Sequence, residues 1–148
     1  MAEALGTAAA IIQLAGVGLT LAKVLYKVSD EITSSAKQVK ELASYVHSTS
    51  IVLEEVGKVF EEEGTAPQPI ISPNAITTAN EVIARCQTIF EKLHQVAEDA
   101  RTNTFGAIIL VLTSSRRLRL QTGLERSKSD LQLMMQIIIY ARLKLQVW

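Results

Sequence analysis

Residues that could perform acid–base or nucleophilic chemistry are few and scattered along this chain. The two histidines, His47 and His94, lie on different predicted helices in polar contexts, and no His-x-x-x-His or Cys-x-x-Cys pair offers metal-ligand spacing. The single cysteine, Cys86, has no neighbour in the sequence that would lower its pKa, and its position favours a small buried hydrophobe. We therefore predict no catalytic residue, no metal site and no cofactor, with both histidines at or near the surface.

The other candidate motifs also favour structural roles. The glycines at Gly16–Gly18 follow no predicted strand and lack the third glycine or the lysine of a nucleotide-binding loop. Acidic residues at Glu54–Glu55 and Glu61–Glu63 have no ligand partner in view, which predicts a solvated acidic face. The chain has 15 Lys/Arg and 15 Asp/Glu, and no aromatic platform accompanies its basic residues. We predict that the protein is not an enzyme and binds neither nucleic acid nor a small-molecule substrate.

The distribution of proline predicts an all-α fold. All three prolines, Pro67, Pro69 and Pro73, fall in one stretch, so the rest of the chain is free of the strongest helix breaker. Aromatic residues make up only 5% of the chain, so the core must be aliphatic, as suits packed helices. We predict one domain over residues 1–148, a four- to five-helix bundle with long amphipathic helices and a hydrophobic N-terminal helix.

Apolar residues spaced by three and four indicate where the helices lie. The predicted helices cover about residues 4–28, 30–62, 73–100 and 114–146, with a proline-rich loop at 63–73. The helix dipole favours Asp30 and Glu31 at the start of the second helix, whereas Glu61–Glu63 should fray its end. Ser72 is the predicted N-cap of the third helix, with Pro73 at its first position.

The helices after the first each present a narrow apolar seam that needs a partner. The seam of the third helix consists of Ile76, Ala79, Ile83, Cys86, Phe90, Leu93, Ala97 and Ala100. The seam of the last helix consists of Leu124, Leu131, Met134, Ile138, Ala141 and Leu145, with Ser127 filling a gap. Between these two helices, the apolar sequence AIILVLTSS is predicted to be helical or irregular, because no strand partner exists for it.

The first helix differs because it is apolar on nearly every side. Residues 4–22 form an uncharged run of 19 residues between Glu3 and Lys23. Its polar and glycine positions form one thin stripe, made of Gln13, Gly16, Thr20, Lys23 and Lys27. A helix of this kind belongs at the centre of a bundle or in a bilayer. A signal peptide is disfavoured because an acid, with no base, precedes the apolar run.

Small residues of the first helix are predicted to let backbones approach closely, in a bundle or between membrane helices. These residues are Gly6, Ala15, Gly16 and Gly18. Glycine inside a helix costs up to about 1 kcal/mol relative to alanine, so this helix is weak in water. In a bilayer, the inserting side chains would be Ile11, Ile12, Leu14, Val17, Leu19, Leu21, Val24 and Leu25.

A basic cluster lies near the start of the last helix, with Glu125 as its one nearby acid. The cluster consists of Arg116, Arg117, Arg119, Arg126 and Lys128. Two interpretations stay open. The cluster could contact anionic lipids, at about 1 kcal/mol per residue, or it could be a charged outer face that pairs with the acids of the second helix.

Two stretches carry a resemblance to a known family. The opening MAEALGTAAAIIQLAGVGLTLAKVLYKVSDEI is similar to the start of the HeLo-like domains that precede nucleotide-binding (STAND, or NLR-type) immune receptors of fungi. The closing GLERSKSDLQLMMQIIIYARL resembles the last helix of the same domains. More distantly, the chain is similar to the HeLo domain of a fungal prion-controlled toxin and to the four-helix bundle of the necroptosis pseudokinase. Many relatives carry a tryptophan before the last helix, whereas here the one tryptophan is Trp148.

The resemblance implies a cell-death effector of fungal innate immunity or heterokaryon incompatibility. In such a domain, oligomerisation releases the N-terminal hydrophobic helix, which then permeabilises the plasma membrane. The implied partners are anionic membrane lipids and further copies of the chain. The implied location is the cytoplasm, with relocation to the plasma membrane on activation. The alternative is a soluble homotypic interaction module, in which the first helix stays in the core permanently.

Overall fold

The structure, a computed structural model, describes residues 2–31, 36–102 and 114–147. Within these ranges the chain forms four long helices and no strand: α1 (Ala2–Glu31), α2 (Ala36–Thr65), α3 (Pro73–Thr102) and α4 (Ser114–Val147). At 1.5 Å per residue, helices of 30 to 34 residues are about 45 to 50 Å long. The predicted all-α bundle with a hydrophobic N-terminal helix is confirmed.

The boundary between the first two helices differs from the prediction. Asp30 and Glu31 end α1 and do not begin α2, which starts at Ala36. The preceding residues Val28 and Ser29 are buried, so packing extends α1 to a point where the dipole disfavours acids. Residues 32–35 lie outside the described residues, as do 103–113, which include most of the ambiguous apolar segment, and Trp148.

The turn between α2 and α3 follows the predicted capping but not the predicted fraying. The hydroxyl of Ser72 accepts a hydrogen bond from the backbone N–H of Ala75 at 3.1 Å, so Ser72 caps α3 as expected. In contrast, α2 continues past its glutamates to Thr65. The Thr65 hydroxyl donates to the carbonyl of Glu62 at 3.1 Å and so covers part of this helix end.

The four helices form a ring of neighbours around one core. α1 packs against α2 and α3, and α4 packs against the same two helices from the other side. The α1–α2 contact is the most extensive of the four. The largest fully buried side chains include Phe60, Phe90, Ile11, Leu25, Leu53 and Leu124. Because α1 contributes to this core, it is a structural part of the bundle.

The seam of α4 is shorter than predicted. Leu124, Ser127, Leu131, Met134 and Ile138 are buried as expected. Leu145, predicted on the same seam, is 42% exposed, because the last turns of α4 have fewer neighbours to cover them. The buried seam of α4 therefore ends near Ile138.

Candidate membrane-active helix and its cover

The two sides of α1 match the pattern read from the sequence. All five residues of its polar stripe, Gln13, Gly16, Thr20, Lys23 and Lys27, are exposed. Four of the predicted membrane-inserting residues are buried in the core: Ile11, Leu14, Leu21 and Leu25. The other four, Ile12, Val17, Leu19 and Val24, are exposed or half-buried. In this structure α1 thus divides its apolar residues between the core and the solvent.

α1 approaches α2 closely at glycines of α2. A Cβ atom built on Gly57 would lie 2.6 Å from Cγ1 of Ile12, and one built on Gly64 would lie 2.8 Å from Cδ2 of Leu5. On α1, a Cβ atom at Gly18 would overlap the hydroxyl of Ser50 and come within 2.8 Å of the Phe90 ring. At each of these points the partner occupies the space where a side chain would begin.

The small residues of α2 recur every seven positions: Ala43, Ser50, Gly57 and Gly64. All four are buried, and we call this set the small-residue ladder. Its contacts with Gly18, Ile12 and Leu5 run in the opposite chain direction, as expected for antiparallel neighbours. A seven-residue spacing keeps residues on nearly the same side of a helix. The ladder is therefore a continuous shallow groove along α2 that receives α1.

The predicted close-packing residues lie on α1 and include no member of this ladder. Of the small residues predicted on α1, Ala15 and Gly18 are buried. Gly6 and Gly16 are exposed, and a Cβ atom on either would meet nothing within 4 Å, so they make no close helix contact here. The glycines of α2 were missed, although their seven-residue spacing was visible in the sequence.

On its other side α1 is covered less completely. An open groove of about 700 Å³ separates parts of α1 and α3. Its lining includes Leu14, Val17 and Thr20 of α1, and Gln87, Phe90 and His94 of α3. Val17 at this groove is 52% exposed, although it is apolar. The α3 side thus leaves apolar surface of α1 accessible to solvent.

Polar side-chain contacts hold the other three helices together. The Lys128 ammonium of α4 donates to the Ser48 hydroxyl of α2 at 2.6 Å. Arg85 of α3 pairs with Asp130 of α4 at 2.9 Å. A hydrogen bond with Glu125 of α4 raises the pKa of Tyr45 on α2. These contacts join α4 to both of its neighbours.

An ion pair with a buried carboxylate joins the C-terminal ends of α2 and α4. Arg142 donates from both Nε and Nη2 to the Glu63 carboxylate, with Nε 2.8 Å from Oε2, and Nη2 also donates to the carbonyl of Gln68 at 3.0 Å. The Glu63 side chain is only 8% exposed. Glu63 was predicted on a solvated face, and this is wrong, because Arg142 comes from a distant part of the chain and covers it.

α1 takes no part in this polar network. Within the described ranges 2–31, 36–102 and 114–147, no side-chain hydrogen bond or ion pair connects α1 with another helix. The one side-chain hydrogen bond of α1 is local, from the Ser29 hydroxyl to the carbonyl of Tyr26 at 2.6 Å. α1 is thus held by apolar contact and shape.

The predicted lipid-contacting residues divide between two environments. Arg116, Arg119 and Arg126 are exposed, Arg117 is half-buried, and Lys128 is turned to Ser48 of α2. Among the described residues, no ion pair joins these arginines to an acid of α2. The exposed arginines therefore remain available to an anionic surface, whereas Lys128 has a structural contact.

The residues that could have done chemistry take structural positions. Both histidines are exposed, and Cys86 is buried as a free thiol, as predicted. Burial raises the pKa of the Cys86 thiol, against the smaller opposite effects of Ser127 and Arg85. No group of three or more His, Cys, Asp or Glu residues that could hold a metal is found in the described part of the chain.

By length and composition, the segment Glu3–Glu31 is the one helix among the described residues that could cross a membrane. Buried core helices of soluble proteins meet the same criteria, and 44% of its most apolar window is buried here. No protein-family model, curated protein or solved structure matches this chain.

Proposed function

We propose that this chain is a membrane-permeabilising domain in which α1 leaves the bundle after oligomerisation and enters a lipid bilayer. Together with the family resemblance, this makes it a cell-death effector of a fungal immune or incompatibility receptor. It would act from the cytoplasm on the plasma membrane. No catalytic step is part of the proposal.

The observation that carries the proposal is the way in which α1 is held. α1 has no polar side-chain contact with the rest of the bundle among the described residues, whereas α2, α3 and α4 share several. Moving α1 from this bundle into hydrocarbon leaves no buried polar partner behind. Leaving such a partner unsatisfied would cost about 1 to 3 kcal/mol. A bilayer can therefore replace what the bundle gives α1.

The dimensions of α1 support the same proposal. A helix needs about 20 predominantly apolar residues to span a bilayer, and the uncharged run of α1 has 19. Gly6 and Gly16 weaken the helix in water without packing closely in the bundle. The exposed arginines of α4, Arg116, Arg119 and Arg126, would attract the bundle to anionic lipid before α1 inserts.

The test is leakage of a trapped dye from anionic vesicles, with Val17→Glu as the informative variant. Val17 is 52% exposed, so a glutamate there leaves the soluble bundle folded. A charge at the bilayer centre costs about 3 kcal/mol, so leakage should fall about a hundredfold. Leu14→Glu should also abolish leakage, but Leu14 is only 8% exposed and its variant would unfold.

The matched control is Ile51→Glu, which places the same charge at an exposed apolar position of α2. This variant should cause as much vesicle leakage as the unmodified chain. Leakage should also weaken as salt rises, because the initial attachment is electrostatic. Full leakage by a folded Val17→Glu variant would overturn the proposal.

The soluble interaction module remains the second candidate, because an apolar surface on α4 is exposed in the folded bundle. It predicts no leakage and no sedimentation with vesicles at any salt concentration. It also predicts that Val17→Glu has no effect on vesicle leakage, because α1 never leaves the core and the unmodified chain does not leak vesicles either.

A further inference from the structure

The C-terminal half of α4 has a second apolar side that faces away from the core. Four large side chains there are between 55% and 68% exposed: Leu133, Ile137, Tyr140 and Leu143. We call them the α4 apolar face. A bundle helix needs one apolar side, which here consists of Leu131, Met134 and Ile138. The bundle does not account for the second one.

The centre of this face has the spacing of a helix–helix seam. Leu133, Ile137, Tyr140 and Lys144 follow one another at intervals of four, three and four residues. At 100° per residue they form a straight stripe about 120° around the helix from the buried seam of α4. Intervals of three and four are those of residues that interlock between paired helices.

We propose that this face binds the same face of a second copy, with the two α4 helices antiparallel and a twofold axis between Ile137 and Tyr140. The four side chains expose roughly 450 Å² of largely apolar surface, within the range of the largest patch on a typical monomer. Burying it on both copies removes about 900 Å², the size of a small, reversible interface. The area therefore suits a weak symmetric dimer.

Charge selects the antiparallel arrangement. Residues 131–147 contain two charged side chains, Arg142 and Lys144, and both are basic. Arg142 is paired with Glu63, which leaves Lys144 as the charge on the stripe. A parallel pair would bring the two Lys144 side chains together, whereas the antiparallel pair separates them by about 16 Å along the axis. Each lysine then lies near Leu133 of the other copy.

This dimer does not depend on membrane insertion. α4 and α1 are diagonal in the bundle, and the main contacts of α1 are with α2 and α3. Pairing through α4 therefore leaves α1 and its groove uncovered. Because the two surfaces are separate, the dimer and the proposed membrane activity can fail independently.

Sedimentation velocity over about 10 to 500 µM protein tests the dimer, since a small interface binds weakly and its dimer is expected toward the upper end of this range. The unmodified chain should form dimers in this range. Ile137→Glu, at an exposed position, should raise the dissociation constant at least about thirtyfold. The control Leu118→Glu alters a residue of α4 that is 62% exposed but outside the face, and it should leave the constant unchanged.

Oxidative cross-linking tests the orientation, with buried Cys86 left in place. Ile137→Cys should form a disulfide between copies because it lies beside the axis, and Lys144→Cys should not. Equal cross-linking at both positions would show a parallel pair and contradict the proposal. A chain that stays monomeric at every concentration would also overturn the proposal. If Ile137→Glu then abolished vesicle binding, the α4 apolar face would contact lipid and not a second copy.

Discussion

α1 and α4 are diagonal members of one bundle, and both are rich in apolar residues, yet they are held in opposite ways. α1 fits closely against the small-residue ladder of α2 but has no polar side-chain contact with another helix among the described residues. α4 has polar contacts with α2 and α3, including the Glu63–Arg142 pair. It also leaves an apolar face uncovered. α1, which is held by shape, can move from the apolar core to another apolar environment, whereas moving α4 would leave the buried Glu63 carboxylate without its partner.

The largest expected effect comes from filling the ladder. Gly57→Leu should lower the free energy of unfolding by about 3 kcal/mol, because the new side chain would overlap Ile11 and Ile12. Urea denaturation followed by circular dichroism measures the change. Gly16→Leu is the control, since its Cβ atom meets open space. Equal stability of the two variants would contradict the close α1–α2 contact.

A smaller effect is expected from breaking the pair that holds α4. Arg142→Ala leaves the Glu63 carboxylate buried without its partner, and the thermal midpoint should fall by a few degrees. Lys128→Ala removes a single hydrogen bond to Ser48 and should lower the midpoint less. If both variants have the same thermal midpoint, the Glu63–Arg142 pair is not the main polar contact of α4.

The next effect has the opposite sign. Gly16→Ala should stabilise the chain by about 0.5 to 1 kcal/mol, because alanine favours the helix and its methyl group meets no neighbour. Under the proposed function the variant should also leak vesicles more slowly. Gly57→Ala is the same substitution inside the ladder, 2.6 Å from Ile12, and should destabilise. If both variants changed the free energy of unfolding in the same direction, the two glycines would have similar surroundings, which would contradict the structure.

The smallest effect is an absence of change at Cys86. This thiol lies near Ser127 of α4, and burial raises its pKa, so little thiolate is present at neutral pH. When anionic vesicles are added, the hydrogen-exchange rates of the backbone amides of residues 4–25 should change, while thiol labelling of Cys86 stays slow. Rapid labelling would show that the whole bundle opens and that α1 does not leave alone.

The features predicted correctly are those that neighbouring residues determine. Local spacing predicts the Ser72 cap, the exposed stripe of α1 and most of the buried seam of α3, in which Ile76 and Ile83 are half-buried. The errors concern residues whose surroundings come from distant parts of the chain. Glu63 is buried by Arg142, and Asp30 and Glu31 extend α1 because Val28 packs in the core.

The ladder lies between these two cases. Ala43, Ser50, Gly57 and Gly64 show their period in the sequence, but a small residue indicates a close contact only once its partner is known. Gly6 and Gly16 looked equally suitable and have no such contact. The direction of α1 along α2 decides which glycines matter, and spacing within one helix does not contain that information.

The period of the ladder also affects how α1 could move. A row of gaps repeated every seven residues looks the same after a shift of one repeat, about 10 Å along the helix. After a shift toward Gly64, Ile12 would meet the gap that Leu5 now fills, and no polar side-chain contact among the described residues opposes the movement. Steric fit alone thus permits more than one register of α1 along α2. Each shifted register loses the contacts at one end of the helix pair. α1 could then slide out of the bundle in steps, and it would not need to detach along its whole length at once.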